Sequence, residues 1–82
     1  MKIDIHKGSI PTTACIYLPT RELGSQLLEL LLVSNKILKA DTDPASKTLR
    51  LYVKFNPCYT DDDCQAEIER LYNDIHTGRV ID

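Results

Sequence analysis

Thr48-Leu49-Arg50-Leu51-Tyr52-Val53-Lys54-Phe55 is the stretch whose reading decides the fold. Leu49, Leu51, Val53 and Phe55 alternate with Arg50, Tyr52 and Lys54. Successive side chains on a strand point to opposite faces, so this segment reads as a strand with one dry face and one wet face. A dry face has to be covered, and a single strand has nothing to cover it with. The segment therefore implies a sheet and a second layer. Asn56-Pro57 closes it, because proline has no backbone donor to continue the ladder.

Downstream, Thr60-Asp61-Asp62-Asp63 opens a helix. Thr60 can cap it, and the carboxylates lie where the helix dipole favours negative charge. Cys64, Ile68, Leu71 and Ile75 recur at spacings of four, three and four, which makes one apolar stripe. Gly78 suits the position just past the helix end. Val80-Ile81 can add a short last strand.

Upstream, Arg21 to about Lys39 reads as a first helix. Thr20 is its expected N-cap, and Glu22 suits its first turn. Lys36 and Lys39 suit its end, and Asp41-Thr42-Asp43-Pro44 stops it. Before it, residues 1–7 and 13–18 each alternate in hydrophobicity, with Gly8-Ser9-Ile10-Pro11 between them. That pattern predicts a hairpin. The expected fold is a single α+β domain over residues 1–82, a two-layer sandwich. A three- to four-stranded, largely antiparallel sheet carries two helices on one face, in the order β-β-α-β-α with a possible C-terminal strand.

Composition narrows the function. The formal charge is −2, which disfavours strong non-specific binding to nucleic acid. The chain starts Met1-Lys2-Ile3-Asp4 without an apolar leader, and Leu27 to Val33 is too short to span a bilayer. A cytoplasmic protein that does not engage membranes is the expectation. Cys15, Cys58 and Cys64 are most simply free thiols. The Cys58-x5-Cys64 spacing is not that of a zinc knuckle, and His6 and His76 do not complete a ligand set in sequence. No phosphate loop, nucleophile elbow or cofactor motif is present. We expect no cofactor, no metal site and no enzyme.

Two surfaces stand out. On a helix running to Lys39, Leu28 and Leu32 fall opposite the broad apolar face, beside Asn35 and Lys36. Nothing in a two-layer domain covers that side, so these four residues are the candidate partner-binding site. The leading expectation is a protein-binding module that docks on another protein or forms a homodimer. Its format is that of the small regulators and inhibitors carried by phages and mobile elements. The alternative uses the open sheet face, where Tyr17, Arg50, Tyr52 and Lys54 mix aromatics with cations as single-strand-binding sheets do.

Overall fold

A computed structural model of the chain describes residues 1–77. The described elements run β1 (Lys2–His6), β2 (Thr13–Tyr17), α1 (Arg21–Val33), β3 (Ile37–Asp43), β4 (Lys47–Phe55) and α2 (Asp61–Thr77). The expected α+β architecture is present, with one strand more than the sequence reading placed. The strands form a four-stranded sheet in the order β1-β2-β4-β3, every pair antiparallel. The expected strand at Val80-Ile81 lies outside the described residues.

Strand β4 is central, as its pattern requires. Leu51, Val53 and Phe55 are buried, and they meet Ala14 and Ile16 from β2, Leu18 just after it and Ala40 from β3. Leu27 and Leu31 of α1, and Cys64, Ile68 and Leu71 of α2, close the other side of this core. Both helices start at the expected caps. The Leu23 N–H donates to Thr20 Oγ1 at 3.2 Å. At α2 the Asp63 N–H donates to Thr60 Oγ1 at 3.1 Å, and the Thr60 N–H donates to Asp63 Oδ2 at 3.2 Å. That reciprocal pair is a capping box with Asp in the usual Glu position.

The first helix is shorter than its sequence suggested. It ends at Val33, and Ile37–Asp43 is a strand, so Asn35 and Lys36 lie in the connecting turn. Helix propensity favours continuation by only a few tenths of a kcal/mol per residue. Strand pairing instead buries Ala40, half-buries Ile37 and gives β4 a second hydrogen-bonded neighbour. Gains of about 1 kcal/mol per buried group or bond exceed the propensity difference. The Asp43-Pro44 signal read as a helix stop is the turn of the β3–β4 hairpin. There Asp43 Oδ2 accepts the N–H groups of Ala45 and Ser46 at 3.1 and 2.6 Å. The Ser46 N–H foremost, with Tyr52 and Ala45, holds the Asp43 carboxyl below the usual carboxylate range.

Gly24 sets how α1 is rotated. A Cβ there would lie 1.7 Å from the backbone oxygen of Thr48 on β4. Thr48 Oγ1 also donates to the Arg21 carbonyl at 2.7 Å. The helix therefore presents Gly24, Leu27 and Leu31 to the sheet, and Leu28 packs at the edge of the core.

Gly24→Ala tests this contact. At an ordinary helix position the change stabilises by up to about 1 kcal/mol. Here the methyl group meets backbone, and we expect a loss of about 2 kcal/mol or more in denaturant unfolding. Ser25→Ala, one residue along on the exposed side, is the control and should not destabilise.

Candidate functional site

The sheet register puts three cross-strand rows on the open face. The first is Lys2, Tyr17 and Arg50. The second is Asp4, Cys15, Tyr52 and Asp41. The third is His6, Thr13, Lys54 and Lys39. Tyr17, Arg50, Tyr52 and Lys54, expected on this face, are brought together here on neighbouring strands.

In the first row Tyr17 is held between two cations. Lys2 Nζ lies 5.7 Å from its ring centroid and Arg50 Cζ lies 4.9 Å from it. Cation–π contacts of this kind are worth about 0.5–1 kcal/mol at exposed sites. The Arg50 Nε is covered in this stack and meets no acceptor among the described residues. Cys15 is buried at the centre of the face. Its hydrogen bond to Tyr17 is the first of the influences that raise the tyrosine's pKa. Tyr52 is exposed, and its hydroxyl donates to Asp43 Oδ1 at 3.1 Å. In the third row His6 Nδ1 and Thr13 Oγ1 are 2.9 Å apart. Lys39 lies 3.5 Å from Asp41. A surface depression of about 300 Å³ is lined by His6, Thr13, Lys39, Asp41, Tyr52 and Lys54, among others.

The other surface lies where α1 gives way to β3. Leu32, Val33 and Leu38 are 61, 81 and 54 % exposed. A turn closed by the Ile37 N–H donating to the Ser34 carbonyl separates Val33 from Leu38. The four residues proposed from sequence part company here. Leu32 is exposed as expected, whereas Leu28 is half-buried against the core. The Asn35 carbonyl accepts from Asn56 Nδ2 at 2.9 Å. Lys36 is engaged internally, 3.6 Å from Glu67 and over the Tyr59 ring. The sequence reading missed Val33 and Leu38 because it kept both on a longer helix.

It also missed Glu67, a carboxylate only 3 % exposed within the buried stripe of α2. A charged group there needs partners. Ser34 Oγ donates to Oε2 at 2.9 Å. Arg70 donates through Nε to Oε1 at 3.0 Å and through Nη2 to Oε2 at 2.9 Å. The spacing of three from Cys64 and four to Leu71 was the available signal. This cluster ties the turn after α1 to α2, and so fixes where Leu32, Val33 and Leu38 stand.

Cys15, Cys58 and Cys64 are free, with Cys58 exposed. Burial pushes the Cys64 thiol up. Among the described residues no three His, Cys, Asp or Glu side chains converge to hold a metal ion, and no helix is long and apolar enough to cross a membrane. No family model matches the chain, and no curated protein or solved structure matches it either.

The Glu67 cluster gives a pH-dependent prediction. Burial, the largest influence, pushes the carboxyl up, but the bonds from Arg70 and Ser34 with the charges of Arg70 and Lys36 outweigh it and hold its pKa below the usual carboxylate range. A depressed folded pKa stabilises the fold above the unfolded value and ceases to do so as pH falls through the folded one. Glu67→Gln should therefore cost about 2–3 kcal/mol at pH 7. The gap between wild type and variant should narrow in unfolding curves taken below pH 4.5.

Proposed function

We infer that this chain is a non-enzymatic protein-binding module, a small regulator or inhibitor in format. It docks through the last turn of α1 and the adjoining edge strand β3. The observation that carries this reading is the cluster of Leu32, Val33 and Leu38, three large apolar side chains exposed within seven residues of chain. Single exposed apolar residues are ordinary, but a group around one rigid turn is the usual mark of an interaction surface. The Glu67 cluster holds that turn in place. A preorganised surface loses less entropy on binding than a mobile one.

The test is affinity capture with tagged protein, comparing the bound partners quantitatively. Leu32→Glu with Leu38→Glu should abolish capture while leaving the melting temperature nearly unchanged, because both side chains already face solvent. Tyr52→Ala should leave capture intact. Equal capture by wild type and the leucine variant would overturn the reading.

A second reading has one observation in its favour. Lys2, Arg50, Lys54 and Lys39 gather on the open face of an otherwise acidic chain, with Tyr52 exposed among them. Single-stranded nucleic acid is the ligand class this chemistry would take. Asp4, Asp41 and Asp43 dilute the positive field, and Tyr17 is already occupied by its own two cations. This reading therefore ranks second. On it, affinity for a single-stranded oligonucleotide falls steeply with salt, Tyr52→Ala weakens binding roughly tenfold, and Lys54→Ala lowers the salt slope by about 0.7. An absence of binding at low salt would remove it.

A further inference from the structure

We propose that the occupant of this docking surface is a second copy of the chain, joined edge to edge through β3 about a two-fold axis at Ala40. The proposal rests on the docking reading above and adds the partner and the register.

Strand β3 lies at one end of the order β1-β2-β4-β3, so one of its edges has no neighbouring strand among the described residues. Its pairing with β4 is interrupted between Ile37 and Lys39 and again between Thr42 and Asp43. The regular segment between these breaks runs over residues 39–42. Lys39 and Asp41 belong to the open face, and Ala40 is buried toward the helices.

A strand that pairs antiparallel with its own copy does so about a two-fold axis, and the contact closes after two chains. Directly opposed residues must share a face, or every side chain would change sides. Registers centred on Lys39, Ala40 or Asp41 meet that condition over the middle of the strand. Centring on Lys39 sets two lysines opposite each other, and centring on Asp41 sets two aspartates opposite each other. Like charges directly opposed destabilise a sheet. Centring on Ala40 sets Lys39 of each copy against Asp41 of the other, twice by symmetry. It also brings the small Ala40 against its own copy, where bulk would hold the backbones apart.

The regular segment is too short for backbone bonds alone to hold two chains. Apolar cover comes from the same edge. Helix α1 packs on β4 and β3, so the side chains of its last turn flank the seam. Leu38 stands opposite Thr42 of the second copy, with Leu32 and Val33 beside it. Both charged side chains are free to exchange partners, since their contact within one chain is an exposed 3.5 Å pair.

The test uses Lys39→Asp and Asp41→Lys, each purified alone and then mixed, with mass read by sedimentation and light scattering. Wild type should be a dimer. Each variant alone sets like charges opposite one another at both positions, and should self-associate at least about tenfold more weakly. The equimolar mixture should form a heterodimer, because every opposed pair is again of opposite sign. Mixing changes no contact within either chain, so recovery isolates the interface. A monomeric wild type, variants that dimerise as wild type does, or a mixture that stays monomeric would each overturn the proposal. If wild type is monomeric while Leu32→Glu with Leu38→Glu still abolishes partner capture, the second copy falls and the docking reading stands. If the leucine changes also leave capture untouched, both fall.

Discussion

Strand β4 has two edges and one dry face, and the rest of the molecule is arranged to satisfy all three. Leu51, Val53 and Phe55 are almost completely buried, each worth roughly 1.5–3 kcal/mol when taken out of water. That burial is available only if a helical layer lies close against the strand. Gly24 permits the approach, since its missing side chain lets α1 come down onto Thr48. The two edges are met by β2 on one side and β3 on the other. The second requirement is what takes residues 37–43 out of a helix.

A chain this small has little core to spare, yet it places a carboxylate inside it. Burying a charge is costly unless bonds replace the lost water. Glu67 is supplied with those bonds by Ser34 and Arg70 and with a further charge by Lys36. Two of these partners belong to the turn between α1 and β3. A wholly apolar contact would bind that turn without fixing its geometry, whereas directional bonds hold it in one arrangement. The exposed apolar side chains bracketing the turn are thus presented on a rigid support.

The two faces of the molecule differ in kind. The open face is a mosaic of charges and aromatics, largely satisfied internally by the Tyr17 stack and the Tyr52–Asp43 bond. The α1–β3 corner carries apolar groups with no such internal partners. Satisfied polar groups gain little from a ligand that must first displace their partners, and apolar groups in water gain from any cover. That contrast is why the corner, and not the sheet, carries the functional reading.

Much of this was legible in the chain alone. The alternation from Leu49 to Phe55, the hairpin of β1 and β2, both threonine caps and the stripe from Cys64 to Leu71 are local patterns, and local patterns determine their own conformation. The open-face set of Tyr17, Arg50, Tyr52 and Lys54 followed from alternation within strands. Ile37–Asp43 was not legible, because Ile, Leu, Lys and Ala suit a helix as well as a strand, and the deciding partners lie on another strand, β4. The exposure of Leu38, the half-burial of Leu28 and the bonds around Glu67 follow from that one pairing and from the packing of α1. The sequence by itself determined which faces are apolar. Only the tertiary structure decided which of them are covered, since covering depends on contacts between segments that no local spacing records.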